Sequence, residues 1–411
     1  MIRLLRLSGA ALMWLVILAL LAVVIVPRFL DRRYYEGPAS AHFDGQRFFN
    51  PDGEDTVRLP SGGGRGGFLW RQATGRDGRP DWPTQVAVTP AKPAARIAGN
   101  AMVATWVGHA TVLVQTAGLN ILTDPVWSTR AGPFGFGPKR VAAPGVAFAD
   151  LPKIDLIVVS HNHYDHLDLA TLKRLWDRDR PLIVTGLGNG ALMRSAGIDA
   201  VELDWRNAAV LTDTGVEVEG HGPPRCDPFG ACPRDRATVF VTRNHHWSSR
   251  WFTDRNRALW SSFVIRTGSG TIFFAGDTGF GDGRWPSEAA KFGTPRLAIL
   301  PIGAFRFEPG QMGTGSHIGP VDAVEVYRRL GAQTAIPIHW GTFRLSYEAY
   351  HTPPRLLAAA TRCTGQQGFA PVAIGRPFVV PPLIDRRAKP TPMDRAALLR
   401  CLDTPAVRAL R

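Results

Sequence analysis

The stretch 160–168 constrains the fold of this chain most strongly, because it places three imidazoles and a carboxylate within six residues directly after an apolar run. That run, residues 154–159, is rich in β-branched side chains and predicts a buried strand that ends in a loop. In extended or turning backbone alternate side chains point the same way, so His161 and His163 can converge on one ion. We expect the carboxylate and the third imidazole to reach a neighbouring ion. The pattern therefore predicts half of a dinuclear metal centre.

Imidazole nitrogen and carboxylate oxygen belong to the usual ligand set of zinc. Asp168 precedes an amphipathic pattern at 169–179 and is predicted to cap a helix there. The alternative is that the histidines cluster by chance or bind backbone carbonyls, which is the ordinary explanation of a single histidine. Four ligand-type side chains at this spacing favour the metal. We predict that strand, metal loop and helix form one unit.

A pair of metal ions needs more ligands, and three further strand-like runs end in a ligand-type side chain. These side chains are His246 after the run 238–242, Asp277 after the run 271–275, and His339 after the run 335–338. Taken alone, each has an ordinary explanation as a loop donor, the cap of a turn or a half-buried polar residue. Their order after the first motif favours a shared metal centre instead.

That order resembles the metallo-β-lactamase superfold and, within it, the family of N-acylphosphatidylethanolamine-hydrolysing phospholipases D. The resemblance rests on Trp106–Thr111, Leu122–Trp127, Gly137–Arg140, His161–Asp168, Glu202–Trp205, His246–Trp247, Phe273–Gly279, Pro301–Ala304 and His339–Phe343, with a lead-in at Arg47–Pro51. It covers residues 100–380, most of the chain. The alternation of patterns alone predicts a mixed α/β fold, and the resemblance implies that it is an αββα sandwich.

The resemblance also implies a full set of metal ligands. One zinc ion would be bound by His161, His163 and His246, the other by Asp165, His166 and His339, and Asp277 would bridge both. His245 is the alternative to His246, which we prefer because Trp247 follows it as in the family pattern. Asp124 resembles the carboxylate that orients a metal-binding imidazole, and its ordinary alternative is a turn residue before Pro125.

Such a centre predicts a hydrolase. Two zinc ions about 3.5–4 Å apart would lower the pKa of a bridging water, and the hydroxide would attack a phosphoryl or carbonyl group. We predict Asp165, Asp277 and His317 as catalytic residues, with His317 contacting substrate or delivering a proton unless it only caps the following helix. In the family, the reaction releases phosphatidic acid and an N-acylethanolamine from N-acylphosphatidylethanolamine. We therefore expect a membrane-anchored, zinc-dependent phosphodiesterase of the phospholipase D type.

Two other functions stay open at this point. The same centre could hydrolyse a different bond, such as a lactone, and the insertion 220–236 before His246 departs from the family pattern where it could reshape the pocket. Alternatively, a non-catalytic membrane protein could keep zinc in a closed structural site. The net charge of +14 suits anionic lipid headgroups better than nucleic acid, because no dense basic run interleaved with aromatic residues is present.

The segment from Leu7 to Pro27 is nearly continuous in apolar residues, and its length predicts a transmembrane anchor. A cleaved signal peptide is the rival, although the apolar stretch exceeds the usual length. Arginines on both sides leave the orientation open. Cys226 and Cys232 could form a disulfide in an oxidising space. We therefore expect a bacterial inner membrane, with the catalytic domain in the periplasm.

The domain organisation follows from these segments. With 411 residues and 45% hydrophobic content, the chain can bury the core of one large catalytic domain. We predict an anchor at 1–30, a linker or arm at 31–94, the hydrolase domain at 95–382 and a tail at 383–411. The sequence leaves the oligomeric state open.

Overall fold

Two β-sheets stacked face to face form the centre of the computed structural model, which describes residues 2–30, 32–54, 78–219, 235–251, 253–308, 310–384 and 393–410. Within these residues each sheet has seven strands. The first sheet contains β1 (Met102–Gly108), β2 (Thr111–Thr116), β3 (Leu119–Thr123), β4 (Leu156–Val159), β5 (Leu182–Gly186), β6 (Val201–Leu203) and β14 (Pro377–Val379), in the order β14-β1-β2-β3-β4-β5-β6. The second contains β7 (Ala208–Thr212), β8 (Val216–Glu219), β9 (Asp235–Thr242), β10 (Ser262–Thr267), β11 (Gly270–Phe274), β12 (Pro295–Pro301) and β13 (Thr334–Ile338), in the order β13-β12-β11-β10-β9-β7-β8.

Helices cover both outer faces of this pair of sheets. The described helices are α1 (Ile2–Leu30), α2 (Leu169–Asp179), α3 (Asn189–Arg194), α4 (Trp285–Ala289), α5 (Pro320–Leu330), α6 (Thr352–Thr364), α7 (Arg395–Leu402) and α8 (Pro405–Arg408). The second and third pack on the first sheet, and the fourth to seventh pack on the second sheet. The prediction of a mixed α/β fold with two sheets is confirmed, and the helices on both sides give it the expected αββα layering.

The strand β4 shows how the sequence produces these layers. Leu156 and Val158 join the core between the two sheets, whereas Ile157 and Val159 join the core under α2. This division follows from the two-residue period of a strand, and a strand buried on both faces needs apolar residues at every position. Asp168 caps α2 by accepting hydrogen bonds from two backbone N–H groups of its first turn, as the sequence predicted.

The same edge of the sandwich collects the ends of strands from both sheets. The strands β3, β4 and β5 run parallel to one another, as do β11, β12 and β13, and β9 points the same way as β11 because each is antiparallel to β10. The carboxyl ends of these strands therefore meet at one place, and the segments that follow them are brought together there.

The helix α1 covers residues 2–30. In the part of the chain that the structure describes, no helix combines the length and the apolar character that crossing a bilayer requires. The predicted transmembrane anchor in residues 1–30 therefore lacks support from the structure.

The segment 32–54 is bound to the body of the domain. Its rings Phe43 and Phe48 are buried in the core between the sheets. Asn50 accepts a hydrogen bond from the Trp260 indole at 3.0 Å and donates one to the backbone oxygen of His246 at 2.8 Å. This part of the predicted linker or arm thus contacts the loop that carries a predicted metal ligand.

A disulfide joins Cys363 at the end of α6 to Cys401 in α7, and the two Cα atoms are 6.0 Å apart. It ties the carboxyl-terminal helices to the outer layer of the second sheet. Sequence reasoning missed this pair and instead predicted a bond between Cys226 and Cys232, which lies outside the described residues.

Candidate metal centre

The first ligand group consists of His161, His163, His246 and Asp277, whose ligand atoms all lie within 4.8 Å of one another. They come from the segments after β4, β9 and β11. His161 Nε2 and His163 Nδ1 are 2.8 Å apart, and the two rings meet nearly at right angles. Two imidazole nitrogens so close together face the same point, which is the arrangement that a shared ion requires.

The second ligand group consists of His109, Asp165, His166 and His339, again with all ligand atoms within 4.8 Å of one another. Nε2 of His166 lies 3.5 Å, and Nε2 of His339 3.6 Å, from Asp165 Oδ2. The structure therefore brings together the three residues that the sequence assigned to the second ion, and it adds His109.

Asp277 lies between the two groups. Its Oδ2 atom is 3.1 Å from His166 Nε2, 3.0 Å from His339 Nε2 and 3.9 Å from His246 Nε2. One carboxylate thus reaches imidazoles assigned to both ions, which is the position that a bridging ligand must occupy.

The end of β11 approaches the His161 loop closely enough to require glycine. Gly276 has a φ of +61°, and an added Cβ would lie 2.5 Å from Ser160 Cβ. Any side chain there would push Asp277 away from the first ligand group. Three site residues also have positive φ although they are not glycine: His109, Asp124 and His339. Such strained conformations concentrate at functional sites, where the surrounding structure holds them in place.

Unpaired polar atoms in the centre fit metal binding. Among the described residues, Nε2 of His246 and Oδ1 of Asp277 are buried without a hydrogen-bond partner. Nε2 of His166 and of His339 is also buried without a contact of hydrogen-bond geometry, although Asp277 Oδ2 lies 3.1 and 3.0 Å away. An unsatisfied buried polar atom costs about 1–3 kcal/mol, so several of them in one place need a common partner. Zinc and related divalent cations accept imidazole and carboxylate ligands of this kind.

The protonation of the two groups differs. Burial and the neighbouring imidazoles hold the pKa of His161 well below its usual value. Burial is also the main reason that the pKa of His246 lies well below its usual value. Burial would also lower the pKa of His166 and His339, but Asp277 and Asp165 outweigh it, raising the pKa of His339 to about 9 and that of His166 well above its usual value. Imidazoles of the first group are therefore neutral and ready to bind a cation. In the second group His166 and His339 must first release protons, whereas burial lowers the pKa of His109 to about 3 and leaves that ring neutral.

The two carboxylates of the centre are ionised. Burial alone would raise the pKa of Asp165 and Asp277, but His166 and the other nearby imidazoles hold both pKa values well below the usual range. A carboxylate in this state offers its oxygen atoms to a cation over the whole physiological pH range.

Groups behind the imidazoles fix their orientation. Asp124 Oδ2 lies 2.6 Å from His166 Nδ1, and the same carboxylate accepts hydrogen bonds from the Ser160 backbone and hydroxyl. Nδ1 of His246 lies 2.9 Å from the Ser316 backbone oxygen. In both rings Nδ1 is occupied and Nε2 is left to face the centre, and Asp124 lies next to His166, an imidazole predicted as a metal ligand.

His245 and His246 have separate roles. The His245 ring turns away from the centre, and its Nδ1 lies 3.0 Å from Asp52 Oδ1. Asp52 also accepts a hydrogen bond from the Asp282 backbone and lies 3.5 Å from the Arg243 guanidinium. His246 is the residue that faces the ligands, and its neighbour fastens the same loop to the 32–54 segment.

His317 lies at the margin of the centre. Its Nδ1 atom is 3.8 Å from Asp277 Oδ2, and its ring centroid is 5.1 Å from that of His246. Burial is the main reason that its pKa falls to about 4. The ring is therefore neutral near pH 7 and is placed to contact a molecule bound at the centre.

His109 was not predicted as a site residue, although it lies in Trp106–Thr111, one of the segments that carry the family resemblance. His109 occupies the tight turn between β1 and β2, its Nε2 lies 2.8 Å from Asp165 Oδ2, and its backbone N–H donates to the Thr342 hydroxyl. A histidine in a turn between two apolar strands was the available signal. The structure shows that this residue fixes the carboxylate of the second group.

The chain matches the family model described as a beta-lactamase superfamily domain over residues 119–340, and it therefore belongs to that superfamily. By family and fold it is a metal-dependent hydrolase of the metallo-β-lactamase type. The matched region includes the predicted ligands from both groups.

Among its relatives, the N-acyl-phosphatidylethanolamine-hydrolyzing phospholipase D 1 of Caenorhabditis elegans is 35% identical over 260 residues, which is 61% of this chain and 67% of the relative. The mitochondrial N-acyl-phosphatidylethanolamine-hydrolyzing phospholipase D of Saccharomyces cerevisiae is 33% identical over 256 residues, 62% of this chain and 50% of the relative. The chain thus spans between half and about two thirds of the length of these curated relatives.

Among solved structures, the metallo hydrolase Igni18 from Ignicoccus hospitalis has a TM-score of 0.48 and 18% sequence identity. The similarity covers 68% of this chain and 98% of that protein. A structural similarity this low supports no statement about function.

Proposed function

We propose that this protein is a zinc-dependent phosphodiesterase that hydrolyses N-acylphosphatidylethanolamine or a closely related phospholipid, with two ions bound. The observation that carries the proposal is the pair of ligand groups that share Asp277. The names of the relatives from Caenorhabditis elegans and Saccharomyces cerevisiae support the choice of substrate.

Two divalent cations bound by these ligands would supply Lewis acidity and lower the pKa of coordinated water. The protein holds the ligands in place for this chemistry. Asp277 is anionic and lies between the groups, while Asp124 and the Ser316 carbonyl keep Nε2 of His166 and His246 directed inward. Because nearly all of these side chains are buried, bulk water is kept from the reacting atoms.

Hydrolysis of the phospholipase D type adds water at phosphorus. One new P–O bond forms, the P–O bond to the ethanolamine oxygen breaks, and that oxygen leaves with a proton as the N-acylethanolamine. The products are phosphatidic acid and the free alcohol. His317, neutral near pH 7, is suited to a hydrogen bond with a phosphoryl or leaving-group oxygen rather than to proton delivery.

The test is product analysis with the zinc-loaded full-length protein, N-acylphosphatidylethanolamine and ¹⁸O-labelled water. We expect phosphatidic acid that carries the label, because water attacks phosphorus. Asp277→Asn should abolish turnover, whereas Asp213→Asn, at an exposed carboxylate outside the centre, should keep it. Equal turnover of wild type and Asp277→Asn, or hydrolysis of lactones with no release of phosphatidic acid, would contradict the proposal.

The location at a bacterial inner membrane, with the domain in the periplasm, stays a prediction. The Cys363–Cys401 disulfide supports a place outside the cytoplasm, because disulfides persist mainly in oxidising compartments.

A further inference from the structure

The loop that follows β3 carries two phenylalanines at its tip that contribute little to the folded domain. Phe134 is 89% exposed and Phe136 is 72% exposed, the highest values among the large hydrophobic side chains of the described residues. Both lie in the segment 132–137, which we call the aromatic tip. Exposed aromatic rings on a folded domain mark a surface that meets another apolar phase.

The aromatic tip has a defined shape. A 3₁₀ turn spans Pro133–Gly135, and the Phe136 N–H donates to the Pro133 oxygen at 2.9 Å. Phe134 adopts a φ of +53°, a region that favours glycine or asparagine over a large aromatic residue. Phenylalanine at this position is therefore not explained by the needs of the turn, and strain of this kind points to a function.

Glycines allow the loop to close at the base of the tip. A Cβ on Gly137 would lie 2.4 Å from the Ala131 oxygen, and a Cβ on Gly132 would lie 2.3 Å from the Phe136 oxygen. The two arms are held by hydrogen bonds from the Ala131 N–H to Pro138 and from the Arg140 N–H to Thr129. Residues 129–131 and 138–140 thus form a hydrogen-bonded stem that carries the aromatic tip.

The stem stands beside the metal centre. Arg140 forms an antiparallel bridge with Phe343, and its guanidinium lies 4.9 Å from the centre of that ring. The Phe343 ring in turn lies 5.1 Å from the ring of His109 in the second ligand group. The base of the aromatic tip therefore lies near the second ligand group, and chain length keeps Phe134 within about 20 Å of Arg140.

Basic residues flank the aromatic tip on both sides in the sequence. The segment 128–140 contains Arg130, Lys139 and Arg140 and no acidic residue. Arg130 and Lys139 are exposed at the base of the tip, whereas Arg140 is buried. Apolar rings with basic side chains behind them suit insertion into the acyl boundary of a bilayer while the cations meet anionic headgroups.

We propose that the aromatic tip docks this protein onto anionic phospholipid surfaces and places the metal centre against the lipid. This inference rests on the proposed function, because a centre that hydrolyses phospholipids must meet its substrate at a membrane. The docking itself depends only on Phe134, Phe136 and the two exposed cations.

Hydrogen–deuterium exchange of the full-length protein on vesicles tests the docking at the segment itself. Vesicles of phosphatidylcholine mixed with phosphatidylglycerol, without any N-acylated lipid, should slow exchange in 132–137 by about tenfold or more. Pure phosphatidylcholine should protect less. Unchanged exchange on both kinds of vesicle would refute the docking.

Substitution of the two phenylalanines gives a second test of the docking. Phe134→Ser with Phe136→Ser should weaken partition onto the mixed vesicles by roughly tenfold to a hundredfold. The control, Val218→Ser with Val379→Ser, removes exposed apolar side chains from edge strands and should change nothing. Equal partition of both double variants would overturn the proposal. So would light scattering that shows a dimer in the wild type and a monomer in the phenylalanine variant, because the rings would then cover a second copy.

Failure of the docking and failure of the proposed function are distinguishable. The vesicles contain no hydrolysable N-acylated lipid, so Asp277→Asn should dock as the wild type does. Docking without release of phosphatidic acid would reject only the substrate, and release without docking would reject only the role of the aromatic tip.

Discussion

The two ligand groups of the metal centre differ in how charge is arranged around them. The first gathers three imidazoles, and burial keeps the pKa of His163 at about 3 and that of His161 and His246 well below the usual value. In the second, Asp277 and Asp165 lie next to His166 and His339 and raise the pKa of His339 to about 9, although burial lowers that of His109 to about 3. The imidazoles of the first group can therefore bind a cation without losing a proton. In the second group, His166 and His339 must release protons when a cation binds.

Removing one ligand from each half should have the largest effect. We expect His163→Ala to lose the ion of the first group and His339→Ala to lose that of the second. In each variant kcat/KM should fall by about a thousandfold or more, because one ion supplies several kcal/mol of transition-state stabilisation. Steady-state kinetics with metal analysis of the purified variants provides the check.

The matched control is His351→Gln, at an exposed histidine outside the centre, which should keep both ions and full activity. If either alanine variant retained wild-type metal content, the division of the ligands into two groups would be wrong.

Asp124 and His109, which hold His166 and Asp165 in place, should have a smaller effect, confined to the second group. Asp124→Asn weakens the orientation of His166, and His109→Ala removes the 2.8 Å contact with Asp165. We expect metal affinity, measured by competition with a fluorescent chelator, to fall about 10–100-fold in each. His109→Gln, which keeps a hydrogen-bond donor, should recover part of the loss. An affinity unchanged in His109→Ala would remove this residue from the centre.

The dependence of metal content on pH should also differ between the two ligand groups. Because the pKa of His339 is raised to about 9 and that of His166 is also raised, protons compete for the second group at neutral pH, and their competition strengthens as pH falls. We expect dialysis from pH 8 to pH 6 to weaken binding of the second ion by about tenfold per pH unit for each proton displaced, while the first ion stays bound. Simultaneous loss of both ions across this range would show that the groups do not differ.

The smallest effect concerns the support of the first group by the 32–54 segment. Burial would raise the pKa of Asp52, but the hydrogen bonds from His245 and from the Asp282 N–H hold it below its usual value. Asp52→Asn should lower the free energy of unfolding by about 1–3 kcal/mol at pH 7 in urea titrations.

Because the pKa of Asp52 is depressed in the folded protein, its contribution is complete above the unfolded pKa and is lost as pH falls through the folded one. The difference between wild type and Asp52→Asn should therefore be constant from pH 7 to about pH 5 and shrink below about pH 4. The exposed Asp213→Asn control should stay within about 0.5 kcal/mol of wild type. A difference that grows on acidification would contradict the assigned sign.

The predicted ligands could be proposed from the sequence because they lie in the segments that follow strands, and the structure brings them together. The strand patterns before His161, Asp277 and His339 could be read locally, and the topology then brings those strand ends to one edge. The helix α2 was also predicted with its observed bounds, since Asp168 marks its N-cap.

Contacts between distant parts of the chain could not be predicted in this way. Asp52 meets His245 across 193 residues, and Cys363 meets Cys401 only because α6 and α7 pack together. Neither pairing leaves a periodic signal in the sequence. Short strands such as β6 and β14 are hard to predict for the same reason, because each is defined by the neighbour with which it pairs.

Anomalous diffraction from crystals of the zinc-loaded protein would locate the ions and identify their ligands. Two peaks are expected, one within about 2.0–2.2 Å of His161 Nε2 and the other at the same distance from His339 Nε2, with Asp277 bound to both. A single peak, or two peaks that do not share Asp277, would contradict the assignment of this carboxylate as the bridge of a dinuclear centre.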